Sequence, residues 1–416
     1  MDCRAALWAI AKGVAMGLTI GVCGAGQFAA SFIPLFQAHP LVDEVCLAEI
    51  LPERRAAQAT RFGIARTFAS LDELCRSDVD AIALFTQRWT HGQQAIAALG
   101  AGKHVYSAVP AAVTLEELAT LIEAVTATGL TYMLGETSYY YPATVYCRRR
   151  FAEGDFGRFV YGEGEYLHDM SHGFYEAYQH SGGADWKATA SFPPMLYPSH
   201  SVSMILSVTG TRLTDVSCLG YVDDHDDSVF RADVSRWGNT FSNETALFRT
   251  SDGGSCRINE FRRVGLSGGT SVRMSLYGTA GSYEEQTNAR VWNTLDPREQ
   301  TDLRDLLRCR PGKPDAAGWR EVHEALRGDF FAGVAAVHDV GRLPREFVGL
   351  PNGHEGSHQF LVDDFVTACS HGTLPPNHVW DAARYCAPGI VAHDSARRDG
   401  ERLAIPDFGG PPGGGA

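Results

Sequence analysis

Three patterns are missing from this sequence, and each absence excludes a class of protein. The ten cysteines are scattered and contain no Cys-x-x-Cys pair, so neither a disulfide framework nor a zinc knuckle is indicated. No run of about 18 apolar residues occurs, so no membrane span is predicted. Basic residues are outnumbered by acidic ones, 36 to 49, which gives a formal net charge of -13. We therefore expect neither a nucleic acid nor a membrane as partner, and we predict a cytoplasmic protein with reduced thiols.

The length of the chain limits the number of domains, and both ends have a composition unlike the rest of the sequence. With 416 residues, 44% of them hydrophobic and 20% charged, the chain is long enough for two or three domains with full cores. Residues 1–16 hold a short apolar run without a cleavage signal, and we interpret them as an N-terminal extension, with Met16 as an alternative start. Residues 409–416 are Gly and Pro apart from the last residue, which predicts a disordered tail.

The first third of the chain has the pattern of a parallel sheet wound with helices. Short apolar runs alternate there with helical patterns, and the predicted strands are 18–23, 45–50, 79–86, 104–108 and 131–134. Thr114 and Glu117 form a capping box ahead of one of the predicted helices. Right-handed crossovers would join these strands into one doubly wound sheet. We predict an NAD-binding Rossmann domain over residues 17–137.

Beyond Pro142 the pattern changes to longer extended stretches. The predicted strands are 158–168, 245–250, 255–261 and 271–277, which favour a large, mainly antiparallel open sheet. Residues 294–330 are charged and helical in pattern, and 360–369 and 381–397 are predicted as closing helices. The predicted fold class is therefore α/β, with an N-terminal doubly wound Rossmann domain followed by an α+β substrate-binding domain over residues 138–408.

A glycine motif after the first strand predicts a dinucleotide site. The segment Gly24-Ala25-Gly26-Gln27-Phe28-Ala29 places G-x-G-x-x-A between a strand and a helix, where the backbone can approach a pyrophosphate. Glu49 follows about 20 residues later, at the end of the next strand, where a carboxylate can bind both ribose hydroxyls. Because that carboxylate would repel a 2'-phosphate, the predicted cofactor is NAD rather than NADP.

Further segments make this region similar to a known family. They are Ala83-Leu84-Phe85-Thr86, His91, Ala97-Ala98-Leu99 and Gly102-Lys103-His104-Val105. Together they resemble the Gfo/Idh/MocA oxidoreductases, the family of glucose-fructose oxidoreductase and inositol dehydrogenase. The resemblance implies a two-domain plan, a sugar site on the second sheet and a homodimer or homotetramer. It also implies that Thr86, Trp89, His91 and Ala108 lie near the cofactor.

The chain departs from that family at two places. The usual Glu-Lys-Pro, whose lysine assists acid-base chemistry beside the nicotinamide, is replaced by Ala108-Val109-Pro110, and Val109 cannot transfer a proton. The usual Asp-x-x-x-His has Leu196 in the place of its aspartate, four residues before His200. A standard dehydrogenase site of this family is therefore not intact.

Other segments are similar to glycoside hydrolase family 109, an NAD-dependent branch of the same superfamily. They are Val109-Pro110-Ala111-Ala112, Met133-Leu134-Gly135-Glu136, Glu163-Gly164-Glu165-Tyr166-Leu167-His168-Asp169 and Tyr197-Pro198-Ser199-His200. That likeness implies a sugar site lined by Glu136, Tyr166, His168, Tyr197 and His200.

Each of these residues also has a structural interpretation. His200 lies with Tyr197 in a proline-bounded segment rather than on a periodic apolar face, which favours function. For Tyr166 and His168, function and core packing stay equally open. On the predicted strand these two side chains share a face with Gly164, whose small size would leave room for a ligand.

The sequence therefore leads to one hypothesis and two alternatives. We predict an NAD-dependent oxidoreductase for a carbohydrate or cyclitol hydroxyl, with Tyr197 and His200 as the acid-base pair and Glu136 orienting the substrate. The first alternative is a glycosidase or lyase that uses bound NAD for oxidation, elimination and re-reduction. The second is a non-catalytic sugar or NAD sensor. No metal is predicted, because no further ligands accompany His168, Asp169 and His172.

Overall fold

The computed structural model describes residues 17–266, 271–309 and 333–412. The predicted extension over residues 1–16 lies outside the described residues. The same holds for residues 310–330 of the predicted charged helix and for the last four residues of the predicted tail.

The N-terminal part of the chain forms a parallel sheet with strand order β3-β2-β1-β4-β5-β6. The strands are β1 (Leu18–Cys23), β2 (Val42–Ala48), β3 (Thr67–Phe68), β4 (Ala81–Leu84), β5 (His104–Ser107) and β6 (Tyr132–Leu134). The helices that connect them are α1 (Gln27–Ala38), α2 (Pro52–Phe62), α3 (Leu71–Arg76), α4 (His91–Gly100) and α5 (Leu115–Thr128). The predicted doubly wound sheet is confirmed. Its strand order reverses between β1 and β4, and ligands of such sheets bind at the carboxyl ends of the strands at this point.

Local sequence signals account for the helix ends. The Thr114 hydroxyl accepts a hydrogen bond from the backbone N–H of Glu117 at 3.1 Å. The Glu117 carboxylate in turn accepts one from the N–H of Val113 at 3.2 Å, which completes the predicted capping box of α5. The helix ends at Gly129, whose φ of 66° lies in the left-handed region that glycine adopts without strain.

The second sheet contains nine strands within the described residues, in the order β14-β13-β12-β11-β7-β10-β9-β8-β15. Only β7 and β10 pair in parallel, so the predicted mainly antiparallel sheet is confirmed. The strands are β7 (Phe159–Leu167), β8 (Leu213–Val222), β9 (Phe241–Thr250), β10 (Ser255–Phe261), β11 (Val272–Gly278), β12 (Gly281–Gln286), β13 (Ala289–Thr294), β14 (Thr301–Asp302) and β15 (Leu403–Ala404).

The predicted helical pattern from residue 294 is wrong over its described part. Strand β13 ends at Thr294, a single 3-10 turn follows, and β14 is extended. Asp296 and Asp302 each accept a hydrogen bond from the backbone N–H two residues later, at 2.9 Å. These local bonds favour turns over a continuous helix, because the side chain takes the N–H that a helix would use.

Helices cover the inner face of the second sheet and also return to the first. They are α6 (Pro142–Ala152), α7 (Phe174–Gly182), α8 (Trp186–Ala190), α9 (Ser199–Thr209), α10 (His358–His371) and α11 (Val379–Ala396). Leu361 and Phe365 of α10 belong to the same buried cluster as Phe32 and Phe36 of α1. The C-terminal segment therefore packs on the Rossmann core as well as on the second sheet. None of the helices in the described ranges has the length and apolar character needed to span a bilayer.

Helix α9 lies unusually close to strand β7. A Cβ atom added to Gly164 would stand 2.3 Å from the carbonyl oxygen of Ser201. One added to Gly162 would stand 3.2 Å from the side chain of Ile205. The space beside Gly164 is thus filled by helix backbone, so the expectation that this glycine leaves room for a ligand is wrong.

We predict that Gly164→Ala lowers the free energy of unfolding by at least about 1–3 kcal/mol, because its methyl group would push α9 off the sheet. Urea unfolding followed by circular dichroism measures this. The matched control is Gly100→Ala at the end of α4, where a Cβ would meet nothing within 4 Å and the stability should stay within about 1 kcal/mol. Equal stability of the two variants would contradict the packing argument.

Candidate active site

A cavity of about 1260 Å³ opens at the carboxyl ends of β1 and β4 and is lined by residues from both sheets. On the Rossmann side, the lining includes nine of the predicted cofactor residues: Gly24, Ala25, Gly26, Gln27, Phe28, Glu49, Thr86, His91 and Ala108. On the other side, it includes four of the five predicted catalytic residues: Tyr166, His168, Tyr197 and His200. The fold therefore brings the two predicted groups to one cavity.

The glycine loop has the geometry that a pyrophosphate needs. Gly24 has a φ of 94°, and a Cβ there would stand 2.6 Å from the carbonyl oxygen of Phe85, so only glycine fits. A Cβ at Gly26 would meet nothing within 4 Å, which leaves open space above the start of α1. No side chain caps this helix and its first turn carries no acidic residue. The first N–H groups of α1 and the positive end of its dipole therefore face the cavity, as an anion requires.

The Glu49 carboxylate lies directly beside the glycine loop. It is almost fully buried and accepts hydrogen bonds from the N–H groups of Ala25 and Leu51, each at 3.0 Å. The Arg54 guanidinium stands 3.9 Å from it. These contacts hold the carboxylate at the edge of the cavity.

His91 joins the loops that follow β4 and β5. Its two ring nitrogens lie 3.0 Å from the carbonyl oxygen of Pro110 and 3.2 Å from that of Thr86. Burial lowers the pKa of His91 to about 4, so the imidazole is neutral at physiological pH.

Trp89, unlike the other residues predicted to lie near the cofactor, does not face the cavity. Its ring packs 5.4 Å from that of Trp237 and is not part of the cavity lining.

Glu136 and His200 form a buried pair at the cavity wall. The His200 Nδ1 atom lies 2.6 Å from the Glu136 carboxylate, which also accepts the N–H of Ser138 at 2.9 Å. Burial alone would raise the pKa of Glu136, but the facing His200 and these hydrogen bonds outweigh it and hold the pKa below its ordinary value. Glu136 is 0% exposed and does not line the cavity. Its carboxylate therefore contacts His200 rather than the cavity, which differs from the expectation that Glu136 lines the sugar site.

An ionised carboxylate can only accept hydrogen bonds, which determines the tautomer of His200. In the neutral imidazole Nδ1 therefore carries the proton that is donated to Glu136, and Nε2 is the nitrogen that can accept a hydrogen bond. The imidazole is 5% exposed and its ring is stacked on that of Tyr166, with centroids 5.5 Å apart. A histidine with a buried carboxylate on Nδ1 can act as a base through Nε2.

Two tyrosines accompany this histidine. The Tyr197 ring meets that of His200 edge to face at 5.3 Å, and burial raises the pKa of Tyr197 to about 12. Burial likewise raises the pKa of Tyr166 well above its ordinary value. Both hydroxyls therefore stay protonated at physiological pH and can donate hydrogen bonds.

His168 fixes the direction of the Tyr166 hydroxyl. Its Nε2 lies 3.1 Å from the carbonyl oxygen of His172, so Nε2 carries the proton and Nδ1 accepts the Tyr166 hydroxyl at 3.3 Å. Burial lowers the pKa of His168 to about 4, which keeps this ring neutral. In this arrangement the Tyr166 hydroxyl donates its hydrogen bond to His168, and its oxygen can accept one.

Within the described residues, no group of three or more potential ligands could hold a metal ion.

Sequence reasoning missed several residues of the cavity, among them Arg88 and His354. Arg88 lies between Thr86 and His91, but a charged loop residue is ordinarily taken as solvent-exposed. His354 lies 2.9 Å from the buried His358, both rings pack on Phe28, and burial lowers the pKa of His354 to about 3. No local pattern signals His354, because it reaches the cavity only through the return of the chain to α1.

Comparison with known proteins finds a family model that matches the N-terminal part of the chain and relatives that match nearly all of it. The Gfo/Idh/MocA family model, described as an oxidoreductase family with an NAD-binding Rossmann fold, matches residues 18–136. A glycosyl hydrolase family 109 protein of Streptomyces niveus is 27% identical over 414 residues, which cover 94% of this chain and 77% of that protein.

Solved structures show the same fold. An oxidoreductase domain protein from Kribbella flavida has a TM-score of 0.70 at 21% identity, over 94% of this chain and 100% of that chain. Levoglucosan dehydrogenase in complex with NADH and levoglucosan has a TM-score of 0.71 at 18% identity, with the same coverage. The family resemblance of the sequence is confirmed.

We predict that Gly26→Val abolishes NAD binding without destabilising the protein. The φ of -74° at this position suits any residue, and the valine side chain would enter only the open space above α1. Titration of the cofactor-free protein with NAD, followed by calorimetry, measures the affinity, and thermal unfolding of the same sample supplies the control. Retained NAD affinity would contradict the placement of the pyrophosphate.

Proposed function

We propose that this chain, whose residues 18–136 match the Gfo/Idh/MocA model of oxidoreductases with an NAD-binding Rossmann fold, oxidises a hydroxyl group of a sugar or cyclitol. Bound NAD supplies the hydride acceptor. Oxidation of a carbinol also needs a base for the hydroxyl proton. The Glu136–His200 pair, joined at 2.6 Å in the wall of the same cavity, is the observation that carries the proposal.

His200 takes the proton of the substrate hydroxyl through Nε2. As the imidazole becomes positively charged, the Glu136 carboxylate stabilises it and keeps the ring in place. This pair supplies the acid-base function that Val109 cannot provide at the position of the family lysine. Tyr197 stays protonated and donates a hydrogen bond to a substrate oxygen, while the Tyr166 oxygen accepts one. In this scheme the two residues of the predicted acid-base pair have separate roles: His200 is the base, and Tyr197 stays neutral and donates a hydrogen bond.

The residues of the Rossmann side fit NAD. The open space at Gly26 and the uncapped N-terminus of α1 suit a pyrophosphate, and Glu49 suits the two ribose hydroxyls. A 2'-phosphate beside the buried Glu49 would face like charge, which favours NAD over NADP. We propose Thr86, His91 and Ala108 as the wall nearest the nicotinamide.

A redox glycosidase is the second candidate, favoured by relatives that span 94% of this chain and carry the name glycosyl hydrolase family 109. In that cycle oxidation at C3 makes the C2 proton acidic, and the C1 substituent is eliminated. Water then adds and the hydride returns to C3. His200 and Tyr197 would serve the same first step, so the site geometry suits both candidates.

One experiment separates these functions. The purified protein is denatured and its supernatant assayed for NAD(H), and native enzyme is then offered sugars, cyclitols and aryl glycosides while NADH absorbance is followed. NADH formed in step with substrate supports the dehydrogenase. Release of aglycone without NADH accumulation supports the redox glycosidase. Binding of NAD and sugar with no turnover would overturn both and leave the sensor.

We predict that Glu136→Gln lowers kcat by at least about 100-fold while NAD affinity is unchanged, because the amide neither stabilises the imidazolium nor fixes its tautomer. Steady-state kinetics and NAD titration measure the two effects. The matched control is Glu163→Gln on the outer face of β7, where the carboxylate meets Tyr161 at 3.0 Å and does not line the cavity. Full activity of Glu136→Gln would refute the proposed base.

We propose that the predicted homodimer or homotetramer forms through the outer face of the second sheet. Three large apolar side chains, Leu219, Tyr221 and Leu247, are more than half exposed on this face. An exposed apolar patch of this kind is typical of a subunit interface. Cytoplasmic location stays a prediction.

A further inference from the structure

Arg88 occupies a distinctive position in the cavity. Its guanidinium carbon lies 4.7 Å from the ring centroid of Tyr197, 5.2 Å from that of Tyr178 and 5.3 Å from that of Phe192. All three rings belong to the second part of the chain. Although Arg88 follows a Rossmann strand, its charge therefore lies against aromatic rings of the second part of the chain.

The charge of Arg88 is not balanced by a carboxylate. Across residues 17–266, 271–309 and 333–412, no Asp or Glu oxygen lies within 4.0 Å of its guanidinium, whereas Arg290 meets Glu285 at 2.8 Å and Arg54 meets Glu49. The aromatic faces stabilise a cation only in part. Arg88 is half-buried, so its guanidinium has lost part of its hydration and no carboxylate within 4.0 Å compensates for that loss.

Arg88 differs in this respect from the other described arginines that line the cavity. Each of those four lies within 4.0 Å of a carboxylate: Arg54 of Glu49, Arg290 of Glu285, Arg304 of Asp302 and Arg308 of Asp305. The chain as a whole carries a formal net charge of -13. In an acidic protein, a cation without a carboxylate partner attracts an anion to its own site in preference to the rest of the surface.

We infer that the substrate carries an anionic group, a carboxylate or a phosphate, and that Arg88 binds it. The guanidinium and the His200 imidazole both lie against the ring of Tyr197, so one sugar ring can meet the two groups together. The planar guanidinium can donate two parallel hydrogen bonds to such an anion. This inference rests on the proposed function of the same site and narrows its substrate class from sugars to acidic sugars.

Calorimetric titration of the NAD-loaded protein tests the inference independently of turnover. The probes are D-glucuronate against D-glucose, D-galacturonate against D-galactose, and the 6-phosphates of both hexoses. We expect at least one anionic probe to bind about tenfold or more tightly than its neutral parent. The uronates and the phosphates distinguish the two kinds of anion. Equal binding of charged and neutral probes, or no binding of any anion, would overturn the inference.

Variants assign the preference to Arg88. Arg88→Gln should bind the preferred anion only as tightly as the neutral sugar, with NAD affinity unchanged, while Arg88→Lys should retain part of the preference because it keeps the charge. The control is Arg236→Gln, since Arg236 also stacks on an aromatic ring, Trp89 at 5.2 Å, but does not line the cavity. Loss of NAD binding in Arg88→Gln with the anion preference intact would show that Arg88 serves the cofactor. The anion preference is measured by binding and the proposed function by turnover. A failure of one proposal can therefore be distinguished from a failure of the other.

Discussion

The close approach of helix α9 to strand β7 is the constraint on which the site depends. Because Gly164 has no side chain, the backbone of the helix rests on the strand at Ser201, one residue after His200. That contact fixes the distance between α9 and β7. At this distance the His200 ring stacks on Tyr166, which lies on the same face of β7 two residues after Gly164, and Nδ1 of His200 lies 2.6 Å from the Glu136 carboxylate.

The same packing buries carboxylate side chains beneath α9. Glu260 contacts the Ser201 hydroxyl and lies 3.1 Å from the Arg262 guanidinium, which in turn covers the ring of Tyr166 at 4.6 Å. Burial raises the pKa of Glu260 to about 8 in spite of that partner. Glu244 meets His393 at 2.8 Å and binds the N–H of Met195. Each of these carboxylates has hydrogen-bond partners, as burial requires, so the floor of the site is polar and yet fixed.

The division of work between the two sheets follows from their geometry. The parallel sheet ends in backbone N–H groups and one carboxylate at a crevice, which suits a dinucleotide but supplies no base. The second sheet offers a broad inner face on which a helix can present side chains. In the proposed function, with Val109 in place of a lysine, the proton chemistry falls to residues from the second sheet and the helix that packs on it. Glu136 is the link, since it follows β6 of the first sheet and supports His200 from the second.

Local sequence determined the parts of this protein that depend on near neighbours. The glycine motif, the capping box of α5 and the period of the strands place the Rossmann sheet within a few residues, and the order of these elements along the chain then leaves few topologies. The tertiary structure alone decided that Glu136 lies behind His200, that Gly164 receives a helix and that Arg88 and His354 reach the cavity. These relations join residues far apart in the chain, and each depends on burial and charge balance that exist only once the two sheets have packed.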